Sequence, residues 1–374
     1  MKKILVLIGR YLPGYKDGGP IRTWINVTEA LGEEYEFCIA TLDRDRGDDQ
    51  PYPQIRYNEW NRVGKARVWY VKRFSMKLIR QLAQEADLVY SCGFYDPYGY
   101  SALLLNSLGL LHGKPLVVAP MGTFSQGAMA QKSLKKKIFI DMLQLLGLFR
   151  NVRWSVTSQQ EAAELCRYIK GNPECVIAED LPRINVMGRS AVRKELCELR
   201  VIFLSRISPM KNLQGAIEIL RNVKNPVFFS IYGPLEDMAY WQKCQKLLQS
   251  LPETISWSYQ GIVHTDDVQK VFQDYDVFLF PTLGENYGHV IFEALSVGCI
   301  PVISDQTPWG EIATKNAGYV IRLSDEMTDF AEAIDQLNEM GVQRRMQMAE
   351  RAVQIAREKV ERSKRETGYR IIFG

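Results

Sequence analysis

Short runs of apolar, often β-branched residues alternate along the chain with longer segments whose apolar positions recur at helical spacing. Strands and helices that alternate in this way are typical of βαβ units, which build parallel sheets. The first half predicts strands at 3–8, 36–41, 88–92, 115–119 and 153–156, and helices at 21–31 and 132–148. The second half predicts strands at 199–205, 227–232, 255–259, 277–280, 300–304 and 318–321, and helices at 212–221, 236–250, 265–274, 288–296, 326–339 and 346–366.

The polar segment 179–193 contains Pro182 and Gly188 and lacks a sustained period, which predicts a domain junction there. We therefore expect an N-terminal Rossmann-like acceptor domain at 1–185 and a Rossmann-like donor domain at 186–355. A C-terminal helix over 356–374 could cross back to the first domain. The predicted fold class is α/β, with two doubly wound domains facing each other across a cleft. Ligands of such sheets bind at the carboxyl ends of the strands, so the turns from strand to helix are the first places to look for chemistry.

Length and composition narrow the class of protein. A chain of 374 residues fits about 2.5 average domains, and 46% hydrophobic with 24% charged residues excludes intrinsic disorder. The net charge of +4 is too small to indicate a nucleic-acid partner. The first apolar run stops at Gly9, short of a signal peptide's apolar core. Seven cysteines without C-x-x-C spacing are typical of reduced thiols and predict a cytoplasmic protein.

The turn after the first predicted strand is rich in glycine and ends at Gly18 and Gly19, directly before a helix. Glycines at this place let the backbone approach a phosphate, which the free N–H groups and the helix dipole stabilise. The spacing is neither G-x-G-x-x-G nor that of a P-loop. A ligand-binding turn and a plain tight turn both explain the pattern.

The turn that follows the strand at 199–205 carries Arg206 and Lys211. An Arg that binds through a planar fork and a Lys that acts as a point charge together suit a diphosphate. The alternative is a solvated charged loop.

The turn after the strand at 277–280 places Glu285 before a helix and Glu293 within that helix. Both carboxylates could face the cleft, and a carboxylate there can accept hydrogen bonds from the hydroxyls of a ribose or hexose. The N–H groups of Tyr287, Gly288 and His289 could meet an anion at the helix N-terminus. The alternative for Glu293 is a solvated helix position, but the apolar residues beside it indicate a mostly buried helix.

Two D-x-D triplets, at 43–45 and 274–276, would suit a metal ion, but the second precedes its strand and the first lies in a very polar stretch. The three histidines lack ligand spacing, and no G-x-S-x-G turn is present. We therefore expect neither a metal site nor a cofactor.

Segment 132–149 combines four lysines with a long apolar flank. Such a segment could hold the protein peripherally on an anionic membrane leaflet. A helix that packs its apolar side on the first domain explains the same pattern.

Taken together, Gly18-Gly19, Arg206-x4-Lys211 and Glu285-x7-Glu293 resemble the retaining family 4 glycosyltransferases of the GT-B fold. The resemblance spans nearly the whole chain and is strongest from 201 to 322. Met121 lies in a Pro-x-Gly pattern that is similar to that of a subset of this family, which builds bacterial surface polysaccharides. Many other members of the family have His at the position of Met121.

The resemblance implies a role for each matched residue. Arg206 and Lys211 would hold the donor's diphosphate, Glu293 the ribose, and Glu285 the donor hexose. The remaining substrate contacts that it implies are Gly18, Gly19, Gly122, Val263, Asn286, Tyr287, Gly288 and His289.

The function that the resemblance implies is transfer of a hexosyl unit, with retention and without a metal, from a UDP- or GDP-sugar. The acceptor would be a saccharide or a polyprenyl-linked saccharide in the synthesis of lipopolysaccharide, capsule or exopolysaccharide. Such an enzyme would work in the cytoplasm or at the inner face of the cell membrane. Two alternatives stay open: a nucleotide-sugar epimerase of the same fold, and a non-catalytic protein that binds nucleotide-sugars.

Overall fold

A computed structural model describes residues 1–125, 129, 133–188, 198–324 and 327–374. These residues divide into two compact units, Met1–Leu181 with Ser363–Gly374, and Pro182–Arg362. The sequence placed the two junctions at 185/186 and 355/356 instead. The second differs because one helix runs unbroken from Val342 to Arg365. The first differs because Asn185 and Gly188 already accept hydrogen bonds from Gln269 and Gln273 of the second unit.

The described strands of the first unit form an eight-stranded sheet in the order β3-β4-β2-β1-β5-β6-β7-β8. All neighbours are parallel except β3, which is antiparallel to β4. The strand bounds are β1 Lys2–Leu7, β2 Tyr35–Leu42, β3 Trp60–Val63, β4 Ala66–Val71, β5 Leu88–Cys92, β6 Leu116–Ala119, β7 Val152–Val156 and β8 Glu174–Ile177.

Helices cover both faces of this sheet, which explains why its central strands are apolar on both sides. One face carries α2 Met76–Gln84, α3 Pro97–Ser107, α4 Ser133–Leu145 and α5 Gln159–Tyr168. The other face carries α1 Gly19–Leu31 and the C-terminal helix Gly368–Phe373. Among the described residues, no helix combines the length and apolarity that a bilayer span requires.

The second unit has a six-stranded parallel sheet over its described residues, in the order β11-β10-β9-β12-β13-β14. Its strands are β9 Leu199–Leu204, β10 Val227–Tyr232, β11 Ile255–Gly261, β12 Val277–Phe280, β13 Ile300–Ser304 and β14 Tyr319–Ile321. The helices that follow are α6 Leu213–Arg221, α7 Met238–Leu248, α8 Val268–Phe272, α9 His289–Ser296, α10 Glu311–Thr314, α11 Thr328–Glu339, α12 Val342–Arg365 and α13 Gly368–Phe373.

The strand order reverses between β9 and β12, which lie side by side although two strands separate them in the chain. A crevice forms at the carboxyl edge of a sheet where connections leave in opposite directions, and ligands of open α/β sheets bind there. The turns after β9 and β12 flank this point. They contain Arg206, Lys211 and Glu285.

The predicted α/β fold with two doubly wound sheets is confirmed. The structure adds β3, β4, β8, α2, α3, α5 and α10, which the sequence did not predict. The predicted starts of two helices, at Lys132 and Glu326, lie outside the described residues. The C-terminal segment ends in the first unit, where Tyr369 packs against Trp24 and Phe373 packs against Phe37.

Candidate functional site

The turns after β9 and β12 are joined by hydrogen bonds. Asn212 lies in the left-handed region, caps α6, and donates from Nδ2 to the carbonyl of Pro281 at 2.9 Å. The carbonyl of Met210 accepts from the backbone N–H of Leu283 at 3.0 Å. A 3₁₀ turn over Pro209–Lys211 carries the lysine between these bonds. Their combined effect is to fix the two turns of the switch point to each other.

Lys211 and Glu285 form an ion pair across these two turns, with Nζ 2.5 Å from Oε1. Their side chains are 12% and 14% exposed, so the pair is largely removed from water. The ammonium also lies 5.9 Å from the ring centre of Phe280. For Lys211 the solvated-loop alternative is therefore wrong. The structure brings together two residues that are far apart in sequence, as a common site requires.

Arg206 lies just beyond the end of β9 and pairs with Glu236, which follows β10. Its Nη1 donates to both carboxylate oxygens, at 2.7 and 2.9 Å. The two side chains are 38% and 35% exposed, so the guanidinium is accessible from solvent. The sequence did not single out Glu236, because its distance from Arg206 depends on the pairing of β9 with β10.

Glu293 lies in α9 and is 2% exposed, which agrees with the expected buried helix. The guanidinium of Arg183 lies beside it, with Nη1 4.0 Å from Glu293 Oε1. Arg183 also donates to the carbonyl of Thr265 at 3.5 Å and lies 3.9 Å from the carboxylate of Asp266. Arg183 belongs to the polar segment predicted as a domain junction, and no local pattern there predicts its place beside Glu293.

The turn before α9 has a constrained backbone. Gly288 has φ +78°, and a Cβ there would lie 2.8 Å from Ile291 Cδ1, so the position favours glycine. Trp309 is fully buried and donates from its indole N–H to the carbonyl of Tyr287 at 2.5 Å. Lys359 of α12 lies 4.4 Å from the Trp309 ring centre. Trp309 and Lys359 therefore brace the turn from outside it, a role that sequence spacing does not reveal.

The other predicted substrate contacts of the second unit lie on the same carboxyl edge of the sheet. Asn286 is exposed in the turn before α9, and the ring of His289 lies 4.7 Å from that of Tyr287. Val263 follows β11 and is half-buried against the core of the unit.

Gly18 and Gly19 lie in the first unit, where they end the turn after β1. Gly18 is the N-cap of α1 with φ +62°, and Gly19 is the first helical residue. The carboxylate of Asp45 accepts from the backbone N–H groups of Tyr15 and Lys16, at 2.8 and 3.1 Å. Asp45 belongs to the first D-x-D triplet. Its hydrogen bonds show that it shapes the glycine-rich turn.

The second D-x-D triplet lies at the opposite edge of its sheet from the candidate site. Asp276 directly precedes β12, where its carboxylate accepts from the N–H of Arg200 at 3.2 Å. Among the residues that the structure describes, no three Asp, Glu, His or Cys side chains are grouped as metal ligands.

Gly122 also lies in the first unit, in a turn that Met121 enters with φ +52°. Its backbone N–H donates to the buried carboxylate of Glu161 at 2.7 Å, and Thr157 donates to the other oxygen of Glu161. The Gly122 N–H is thus already bonded within the unit. A substrate contact at Gly122 would have to use another atom. No local pattern around Glu161 predicts this role.

A second carboxylate, which is half-buried, is hydrogen-bonded to α1. Asp180 accepts from the Thr23 hydroxyl at 2.9 Å. Burial, reinforced by the nearby charge of Glu161, raises the pKa of Asp180 to about 7, and the Thr23 hydrogen bond opposes that rise.

Known proteins resemble this chain in sequence and in fold. Residues 189–355 match the family described as "Glycosyl transferases group 1". The chain is 24% identical to GDP-mannose:cellobiosyl-diphosphopolyprenol alpha-mannosyltransferase of Xanthomonas campestris over 309 residues, which are 80% of this chain and 77% of that protein. It is 23% identical to the protein of the same description from Xanthomonas oryzae pv. oryzae (strain PXO99A) over 68% of this chain and 65% of that protein.

Two solved structures share the fold. Anabaena HepE in complex with UDP and glucose matches over 96% of each chain, with a TM-score of 0.70 at 16% identity. WaaG, a glycosyltransferase involved in lipopolysaccharide biosynthesis, matches over 96% of this chain and 98% of its own, with a TM-score of 0.64 at 13% identity. The match to group 1 glycosyl transferases therefore lies within the second unit, and the chain shares the GT-B fold of these solved glycosyltransferase structures.

Proposed function

We propose that the protein is a glycosyltransferase that moves a hexosyl unit, with retention, from a nucleotide-diphospho-sugar to a saccharide carried on a polyprenyl lipid. The observation that carries the proposal is the Lys211–Glu285 pair at the point where the strand order reverses; Lys211 lies in the same turn after β9 as Arg206. Two cations suit the diphosphate of such a donor, and a carboxylate beside them suits the hydroxyls of its sugar.

In the proposed reaction, the bond between the sugar C1 and the diphosphate oxygen breaks, and the acceptor hydroxyl oxygen bonds to C1 on the same face. The hydroxyl proton passes to the leaving diphosphate. Arg206 and Lys211 stabilise the charge that develops on the leaving group, which is where fixed cations lower a barrier most. In this scheme the two side chains take the part that a metal ion has in other transferases.

Glu293 is proposed to accept from the ribose hydroxyls, because its carboxylate is buried on α9 beside Arg183. The turn 286–289 is proposed to hold the hexose together with Glu285, and Val263 to line the base. Gly18, Gly19 and Gly122 remain predictions for the first unit. For Gly18 and Gly19 the supporting observation is their place at the N-terminus of α1.

GDP-mannose is the first donor to test, since the Xanthomonas relatives are described as using it. The complexes of Anabaena HepE contain UDP, so UDP-sugars are the second choice. The same relatives act on a diphosphopolyprenol-linked saccharide, which supports a lipid-linked acceptor and a place in surface-polysaccharide synthesis at the inner face of the cell membrane.

A thermal-shift screen with GDP, UDP, ADP and their sugars tests the donor class. A ligand that binds only the folded state raises its stability by RT ln(1 + [L]/Kd), so one base should give a selective shift. Product analysis with and without a polyprenyl-diphosphate-linked acceptor then tests transfer. Lipid-linked product that carries the added hexose supports the proposal. If the donor sugar is epimerised without acceptor, the protein is instead a nucleotide-sugar epimerase. If a nucleotide binds selectively but no product forms, the protein is instead a non-catalytic protein that binds nucleotide-sugars.

A further inference from the structure

We propose that the solvent side of α3 and α4 in the first unit docks on an anionic lipid bilayer. The inner side of α4 is already used, because Ile140 and Leu143 are buried against the sheet together with residues of α3. Packing on the domain therefore explains only part of the apolar character of this segment.

The outer face of α4, defined by Leu134, Ile138, Met142 and Leu145, is apolar as well. These four side chains are 46–88% exposed. Their spacing of four, four and three residues puts them on one stripe of a helix. An ordinary surface helix is polar on the side that faces water, so a helix that is apolar on both sides indicates a second, absent neighbour.

The outer stripe of α3, defined by Tyr100, Leu104 and Leu108, repeats this pattern next to α4. These side chains are 36–59% exposed and again four residues apart.

Contacts near both ends of α3 join it to residues 133–150, the segment that contains α4. Tyr95, just before α3, stacks on Phe139 with ring centres 5.6 Å apart. Near its other end, Asn106 donates to the carbonyl of Arg150 at 3.2 Å. The two stripes therefore belong to one layer of the unit, and most of the exposed large hydrophobic side chains of the first unit lie on them.

The charged residues of α4 favour an anionic lipid surface over a second copy of the protein as the neighbour of this face. Lys135 and Lys137 are exposed on either side of the outer face of α4, and Asp141 is the one acidic residue between Ser133 and Leu145. Apolar side chains flanked by lysines are the pattern of a surface that inserts shallowly into a leaflet while its cations contact anionic headgroups. A second copy of the same face would bring like charges together.

Vesicle sedimentation tests the proposal with the full-length protein. Vesicles of phosphatidylcholine alone are compared with vesicles containing 30% phosphatidylglycerol, at low and high salt. They hold no saccharide lipid and no donor, so the result does not depend on the proposed transfer reaction. The variants are I138Q/L145Q for the apolar contact and K135Q/K137Q for the charge. I371Q, which alters an equally exposed apolar residue of the first unit, is the matched control.

We expect binding to the anionic vesicles that weakens in high salt, falls about tenfold or more in I138Q/L145Q, and falls about fivefold per lysine removed. I371Q should bind like the wild type. Circular dichroism shows whether each variant is folded, and a variant that fails is replaced by L104Q, from α3. No binding, or binding that the substitutions leave unchanged, would overturn the proposal. So would sedimentation equilibrium showing a dimer that I138Q/L145Q disrupts, since the covering partner would then be a second copy.

Discussion

Replacing Lys211 by Met removes the cation from the candidate site while keeping an unbranched side chain of similar length. In the structure, this leaves the carboxylate of Glu285, 14% exposed, without the ammonium that lies 2.5 Å away. Breaking a fully buried pair costs about 3–5 kcal/mol, and an exposed pair is worth about 0.2–1 kcal/mol. A pair with 12% and 14% exposure lies between these limits, so we expect K211M to lower the free energy of unfolding by about 2 kcal/mol.

The assay is a double-mutant cycle of urea unfolding with K211M, E285Q and the double variant. Each single variant leaves one charged partner behind, whereas the double variant leaves none. The double variant should therefore lose less stability than the two single losses added together, with a coupling energy of about 1–2 kcal/mol. A coupling energy near zero would mean that the pair does not form in solution.

Activity gives the second arm of this prediction. If Lys211 stabilises the leaving diphosphate, K211M should lower kcat by roughly 10²–10³. The same variant should bind the nucleoside diphosphate more weakly. Full turnover in folded K211M would refute the assignment of this lysine, whatever its effect on stability.

Three further predictions follow from other contacts. E236Q removes a negative charge from beside the guanidinium of Arg206, so it should tighten nucleoside diphosphate binding a few-fold while changing stability by less than about 0.5 kcal/mol; weaker binding in calorimetry would contradict this. R183M removes the cation 4.0 Å from Glu293, and should raise KM for the donor about tenfold while kcat changes less; an unchanged KM would exclude a positioning role. The pKa of Asp180 is raised to about 7, so the native state holds the proton longer than the unfolded state, and stability should fall as pH rises from about 4 to 7 and then level off. D180N should remove this loss, which we put at about 2 kcal/mol between pH 5.5 and 8 in urea unfolding; equal pH profiles would show that the carboxyl titrates normally.

The sequence predicted the second unit better than the first for a physical reason. Strands such as β12 and β13 are buried along their whole length, so they appear as uninterrupted apolar runs. In contrast, β3 and β8 are edge strands whose residues are mostly half-buried or exposed. Polar residues interrupt the apolar pattern in both strands, so the sequence does not predict either of them.

The same limit applies to the site. Arg206, Lys211 and Glu285 could be found because each lies in a turn that follows a recognisable strand. Arg183 and Lys359 could not, since one lies in the domain junction and the other in a long C-terminal helix. Their positions near Glu293 and Trp309 depend on tertiary packing, which local patterns do not encode.

The contacts of the two cations bear on how the proposed donor would be recognised. An ammonium has three donors and a guanidinium five, whereas Lys211 Nζ is bonded to one carboxylate oxygen and Arg206 uses Nη1 for Glu236. A diphosphate can therefore be bound without breaking either ion pair. If Lys211 keeps Glu285 while it meets the phosphate, then the same lysine fixes the carboxylate proposed to hold the hexose. Recognition of the sugar and stabilisation of the leaving group are in that case coupled through one side chain, and the losses of kcat in K211M and E285Q should not add.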